Sequence, residues 1–182
     1  NYYINKIKNK LYTRDYYSVT TYFRLFIPNL YPQYNKALYL DCDIVLLADV
    51  AELYNIDMGD NLVAAAPDDV IQKIEVFQEY AEKVVGVADY RNYFNAGVLL
   101  MNLDELRKFD FQEKFLYSLE KIKFAVAQDQ DYLNRLCKGR VKIISNVWDK
   151  MPISNDTDAN DLKLIHYNLA FKPWHFEDIL YK

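Results

Sequence analysis

The strongest constraint on this chain is a series of short apolar runs, each bounded by a polar residue able to do chemistry. Ala37-Leu38-Tyr39-Leu40 stops at Asp41, Leu62-Val63-Ala64-Ala65-Ala66 closes at Pro67-Asp68, and Leu162-Lys163-Leu164-Ile165 ends at His166. Ile44-Val45-Leu46-Leu47 follows Asp43, and Ala96 to Leu103 and Val141 to Ile144 are runs of the same kind. Runs this short and this apolar read as strands buried on both faces. Between them, Val70, Ile71, Ile74, Phe77, Ala81 and Val84 recur at helical spacing, and the sequence around Leu106, from Phe111 to Ile122 and from Asp131 to Leu136 is helical in pattern. Ser18 to Phe26 predicts a short helix with Ser18 as its N-cap and Pro28 as its stop. Buried strands alternating with helices imply an α/β fold whose sheet is at least partly parallel.

The 182 residues suit a single domain covering 1–182. The chain opens Asn1-Tyr2-Tyr3-Ile4 without an initiator methionine, which reads as a chain processed, cut or missing its start. A net charge of −4 argues against a nucleic-acid partner. The basic and aromatic opening from Lys6 to Arg24 reads as a solvated face rather than a membrane or nucleic-acid contact. No apolar run nears the roughly 20 residues of a transmembrane segment. Cys42 and Cys137 make no disulfide framework, which favours a reduced, cytoplasmic setting. Only four glycines occur, Gly59, Gly86, Gly97 and Gly139, too scattered for either glycine-rich phosphate cradle. If this chain handles a nucleotide diphosphate, something else must neutralise it.

Four loci carry chemistry. Asp41 and Asp43 flank Cys42, and a period of 2 in extended backbone aims both carboxylates to one side. Like charges so placed either sit in solvent or share a cation. His166 ends an apolar strand and is either a half-buried core histidine or a third ligand; Asp-Asp-His would suit Mn²⁺ or a similar ion. Lys172 is either a surface lysine or a point charge for phosphate. Tyr93-Phe94-Asn95-Ala96-Gly97 is a turn into a strand, with small residues that permit close backbone approach. Gln128-Asp129-Gln130-Asp131 either N-caps the next helix or recognises sugar hydroxyls.

In order and spacing these loci resemble glycosyltransferase family 8, the retaining bacterial galactosyl- and glucosyltransferases and glycogenin-like proteins. The resemblance is carried by Val19-Thr20-Thr21-Tyr22-Phe23-Arg24-Leu25, Leu38-Tyr39-Leu40-Asp41-Cys42-Asp43, Tyr93 to Leu100, Gln128 to Asp131, and His166-Tyr167 through Lys172-Pro173-Trp174. It implies a GT-A (Rossmann-like) fold with a mostly parallel central sheet, and a UDP-hexose donor, UDP-galactose or UDP-glucose. The acceptor it implies is a glycan or lipid-linked saccharide. By the same resemblance Asp41, Asp43 and His166 match the ligands of Mn²⁺ (or Mg²⁺), and Lys172 a phosphate contact. Arg24, Leu40, Cys42, Asp68, Asn95, Ala96 and Gly97 match positions around the donor, and Asp129 and Gln130 the residues beside the reacting carbon.

The chain departs from the family in two places. Leu169 stands where the family has a glycine three residues after the metal histidine, and the βαβ unit that holds the nucleoside should lie before residue 1. Family members work at the cytoplasmic face of the membrane, which predicts a cytoplasmic protein, peripheral to the inner face. Acceptor specificity is expected in the stretch from Asn146 to Asp161, which includes Trp148. Two other readings stand beside this one. Asp41-Cys42-Asp43-Ile44-Val45 also fits the start of a haloacid-dehalogenase-type phosphatase, with Lys163 or Lys142 as its lysine, but no clear acidic pair follows. The other is a non-catalytic, sugar-binding family member.

Overall fold

In the computed structural model the described residues are 19–124, 126–168, 170 and 172–182. Ser18, the opening from residue 1 to 17, and Leu169 lie outside them. The first segment, Val19–Phe26, is a 3-10 helix that runs directly into α1 (Ile27–Leu30). Pro28 does not stop it. It sits in the first turn of α1, where no intrahelical N–H bond is lost.

Strand β1 (Lys36–Leu40) leads through the Asp41-Cys42-Asp43 turn to β2 (Ile44–Leu46), and α2 (Val50–Tyr54) follows, capped by Asp49. Then come β3 (Val63–Ala65), α3 (Asp69–Lys73) and α4 (Glu75–Tyr80). Beyond them lie β4 (Val98–Asn102), α5 (Leu103–Lys108), α6 (Phe111–Lys121) and α7 (Gln128–Leu136). Two short strands, β5 (Val141–Ile143) and β6 (Leu164–His166), complete the order.

The main sheet has the order β1-β4-β3-β5, and a second sheet pairs β2 with β6. Among the described residues β1, β3 and β5 run in one direction and β4 alone is reversed, so β4 pairs antiparallel with both β1 and β3 while β3 and β5 pair in parallel. The α/β class and the parallel content are as expected; the reversal of β4 is not, and the reason lies in what an apolar run encodes. Leu99 and Met101 of β4, with Val63 and Ala65 of β3, enter one core cluster; Val98, Leu100, Ala64 and Ala66 enter the other. Both faces are covered, one by the helical layer of α5 to α7 and one by Leu53, Met58, Trp148 and Leu164. A continuous apolar run reports two covered faces; it carries no information on strand direction.

Two further expectations change. Strand β2 is not buried: Val45 and Leu46 are each 44% exposed, because β2 leaves the main sheet and has β6 as its partner. The helical run from Val70 to Val84 is broken at Ile74, whose backbone is extended (φ −120°, ψ 109°), giving α3, α4 and a π-helical turn over Ala81–Val85.

The crossing from one sheet to the other positions the site. Leu40 pairs with Val98 in the main sheet, while Ile44 pairs with His166 in the small one. The Asp41 N–H donates to the Gly97 carbonyl at 2.8 Å, and the Tyr167 N–H donates to the Asp43 carbonyl at 2.9 Å. The D-x-D turn is therefore stitched to the start of β4 on one side and to the end of β6 on the other.

Candidate active site

Two neighbouring carboxylates and one sequence-distant imidazole meet at that crossing. One ligand atom each from Asp41, Asp43 and His166 lies within 4.8 Å of the others. His166 Nε2 stands 3.3 Å from Asp43 Oδ1 and 3.8 Å from Asp41 Oδ2. Its Nδ1 is 2.8 Å from Asp149 Oδ1, a wholly buried carboxylate. A carboxylate behind Nδ1 keeps a proton on that nitrogen, so Nε2 is the one that would turn a lone pair to a cation on giving up its own proton. Burial alone would lower the His166 pKa; the charge and hydrogen bond of Asp149, then those of Asp43, raise it instead to about 10. Burial would raise the Asp43 carboxyl, but hydrogen bonds from His166 and Lys172 outweigh it and hold it well below the usual carboxylate range.

Gly97 makes room for the histidine. A Cβ there would run into the His166 ring, 2.8 Å from Nδ1 and 2.9 Å from Nε2. The close approach expected at Ala96-Gly97 is thus an approach by this ring. Lys172 Nζ donates to Asp43 Oδ2 and, at 2.6 Å, to the Tyr167 carbonyl, so it closes the carboxylate end of the site.

Arg24 ties this end to the next. Its guanidinium donates to Asp41 Oδ1 at 3.0 Å and to the Ala96 carbonyl, and its Nε lies 3.0 Å from Asp129 Oδ2. Tyr39 lies beneath it, 4.3 Å from the guanidinium carbon to the ring centre, and donates its hydroxyl to Asp41 Oδ1 at 2.6 Å. Burial raises the Asp129 carboxyl to about 7, with Arg24 opposing.

The far end is a closed hydrogen-bond circuit. Asp68 caps α3 by accepting from the N–H groups of Val70 and Ile71 through Oδ1, and its Oδ2 accepts from Asn95 (3.1 Å) and Gln130 (3.0 Å). The Gly97 N–H donates to Asn95 Oδ1 at 2.7 Å. The Ala96 N–H donates to Gln130 Oε1 at 2.9 Å. A backbone N–H only donates and a carboxylate only accepts, so these two partners dictate which way the Gln130 amide faces. The expected N-cap role of the Gln128 to Asp131 stretch is corrected: α7 starts at Gln128, with Ala127 as the N-cap. Asp131 reaches back to the Ala127 N–H at 2.9 Å and also accepts from Tyr93 and Tyr80.

One cleft of about 520 Å³ runs along this site, with Val70, Ile71, Phe77 and Val126 as an apolar wall. Of the expected residues, Arg24, Asp41, Asp43, Asp68, Asn95, Ala96, Gly97, Asp129, Gln130, His166 and Lys172 all line it. Leu40 and Cys42 do not: Leu40 packs against the core, and Cys42 is an exposed free thiol. Trp148, expected near an acceptor, is 6% exposed and belongs to the core. Sequence reasoning placed Tyr39 and Tyr93 in its motifs without giving either a role, and missed Asp149. Tyr39 was visible as the residue two before Asp41 on the same side of a strand; Asp149 had no local signal.

Two carboxylates and an imidazole with its second nitrogen held make a hard, three-point donor set that fits Mn²⁺ or Mg²⁺. The phosphatase alternative finds no support, since Lys163 is engaged by Glu52 and Lys142 by the Asp57 carbonyl, away from Asp41. No helix of the described residues is long and apolar enough to cross a membrane.

Comparison with known proteins gives one answer. A family model described as glycosyl transferase family 8 matches residues 1–178. A putative glycosyltransferase of Haemophilus influenzae is 37% identical over 172 residues, 90% of this chain and 51% of that protein. The lipopolysaccharide 1,2-glucosyltransferase of Escherichia coli is 30% identical over 174 residues, 87% of this chain and 50% of the relative. Among solved structures, the galactosyltransferase LgtC in complex with donor and acceptor sugar analogues superimposes with a TM-score of 0.77 at 30% identity, covering 94% of this chain and 66% of that one. The apo WbbM bifunctional glycosyltransferase gives 0.78 at 29% identity, covering 93% and 35%. The chain spans about half the length of the curated relatives it matches. Its fold is that of the GT-A glycosyltransferases, and with the family model matching almost its whole length, the chain belongs to glycosyl transferase family 8.

Proposed function

We propose that residues 1–182 form a catalytic domain, or part of one, of a metal-dependent retaining hexosyltransferase. It would move galactose or glucose from a UDP-sugar to a hydroxyl of a glycan or lipid-linked saccharide at the cytoplasmic face of the membrane. One observation carries this reading: a single cleft holds an Asp-Asp-His cluster and Lys172 at one end and the Asp68–Asn95–Gln130 circuit at the other. The first suits a diphosphate and its cation, the second the hydroxyls of a hexose.

Asp41, Asp43 and His166 would hold a divalent ion, Mn²⁺ or Mg²⁺. Bound there, it supplies Lewis-acid stabilisation of the charge that grows on the departing diphosphate. Lys172 adds an ammonium to the same charge, and Arg24 keeps Asp41 and Asp129 in place beside it. Retention follows from same-face transfer. The bond from the anomeric carbon to the donor phosphate breaks, the acceptor oxygen bonds to that carbon, and its proton passes to the leaving phosphate. Gln130 steadies the oxocarbenium-like state as a fixed dipole. It is suited to that and unsuited to attack, since both ends of its amide are engaged and an amide is a poor nucleophile.

The test uses the full-length protein with UDP-galactose and UDP-glucose, with and without Mn²⁺, and reads UDP release. Metal-dependent release supports the transferase, and donor binding without any turnover would replace it with a non-catalytic sugar-binding role. Within the transferase, Gln130→Ala should lower turnover by 10²-fold or more with donor affinity little changed. Near wild-type turnover would remove Gln130 from the chemistry.

A further inference from the structure

Every carboxylate oxygen at the D-x-D turn has a defined neighbour, and the pattern is unequal. Asp43 presents Oδ1 to His166 Nε2 at 3.3 Å while Lys172 takes Oδ2. Asp41 presents Oδ2 to the same nitrogen at 3.8 Å, and its Oδ1 is taken twice, by the Tyr39 hydroxyl at 2.6 Å and by Arg24 Nη2 at 3.0 Å. Each aspartate therefore turns one oxygen inward and keeps the other occupied.

The second oxygen of Asp41 is occupied by a group built to stay. Tyr39 and Asp41 are two residues apart on an extended segment, so their side chains rise on one side. The ring is packed against the helical core layer, and the Arg24 guanidinium covers it at 4.3 Å. Strand β1 is fixed beneath by its ladder to β4, with Tyr39 opposite Leu99.

From this geometry we infer that Tyr39 is a positioning residue that sets Asp41 to offer a single oxygen, Oδ2, to the cation. The inference rests on Asp41, Asp43 and His166 being cation ligands. Two consequences separate it from a merely structural role. Partners that orient a metal ligand change metal affinity 10- to 100-fold when removed. A carboxylate whose second oxygen keeps only the longer Arg24 contact is also freer to bind through both oxygens, which favours Ca²⁺, an ion that accepts bidentate ligands and larger coordination numbers, over small octahedral ions.

The experiment titrates Mn²⁺ into metal-free full-length protein, without donor, and follows free Mn²⁺ by electron paramagnetic resonance, with Ca²⁺ as competitor. Tyr39→Phe should weaken Mn²⁺ binding at least tenfold and shift competition toward Ca²⁺. Its melting temperature without metal should stay near wild type. Leu38→Ala, which removes a half-buried contact of the same strand away from Asp41, controls for general damage. Equal Mn²⁺ affinity in Tyr39→Phe and wild type overturns the assignment, as does an equal fall in Tyr39→Phe and Leu38→Ala. Absence of Mn²⁺ binding by the wild type overturns the ligand set itself, and the inference with it.

Discussion

At the scale of single residues, Gly97 is where one methyl group would do most harm. Its backbone is not left-handed; its role is to give the His166 ring a seat against the start of β4. Gly97→Ala should displace the ring and cost about 1–3 kcal/mol through overpacking, read by urea denaturation, with at least a tenfold loss in Mn²⁺ affinity. Asp129 gives a prediction of a different kind. Burial raises its pKa from 3.8 to about 7, so between those values the folded state holds a proton that the unfolded chain has released. Stability contributed at this site is therefore lost as pH rises from about 4 to 7, by no more than about 1.4 kcal/mol per pH unit. In metal-free protein, Asp129→Asn should flatten that slope relative to wild type, and thermal melts from pH 4.5 to 8 check it. The chemistry at both positions was legible in the sequence, because small residues and acid-amide alternation are local signals. The partners were not: that Gly97 faces an imidazole from residue 166 is a fact of register.

At the scale of elements, the adjacent residues Asp149 and Lys150 brace both halves of the cleft. Asp149 holds His166, while Lys150, wholly buried, donates to Asp69 at 3.1 Å and to Asp156 at 2.5 Å. Asp69 opens α3, the helix capped by Asp68, whose other oxygen anchors Asn95 and Gln130. Lys150→Met leaves Asp69 buried without its cation and should cost about 3–5 kcal/mol. Lys150→Met with Asp69→Leu should recover much of that in the same urea assay, because a buried pair replaced by apolar groups is close to neutral. None of this could be read from the sequence, where Lys150 is one more lysine between Trp148-Asp149 and Met151-Pro152. The elements themselves were mostly legible. Strands β1, β3 and β4 and helices α5 and α6 lie where apolar runs and helical periodicity put them, while the break at Ile74 and the exposure of β2 depend on packing that periodicity does not encode.

At the scale of the whole molecule, the candidate ligands come from the turn after β1 and the end of β6, so the cluster sits between two sheets. Anything that binds the folded cluster and not the unfolded chain stabilises the fold by mass action. Mn²⁺ at 100 times its dissociation constant should add about 2.7 kcal/mol and raise the melting temperature by roughly 5–10 °C. Chelation should reverse the gain, and Asp43→Asn should abolish it. The D-x-D turn, described above as a crossing, also has a consequence for motion. Strand β6 is buried, with Leu164 in the core and a backbone bridge from Ile165 to Lys150, whereas β2, its ladder partner, is largely exposed and lies outside the main sheet. A short, exposed strand of this kind opens at lower free energy than the core strands. Amide hydrogen exchange should find β2 exchanging faster than β1 and β4 in metal-free protein. Because β2 follows Asp43 and β6 carries His166, a cation shared by those two residues would act as a rivet, and β2 would then exchange in step with the buried strands.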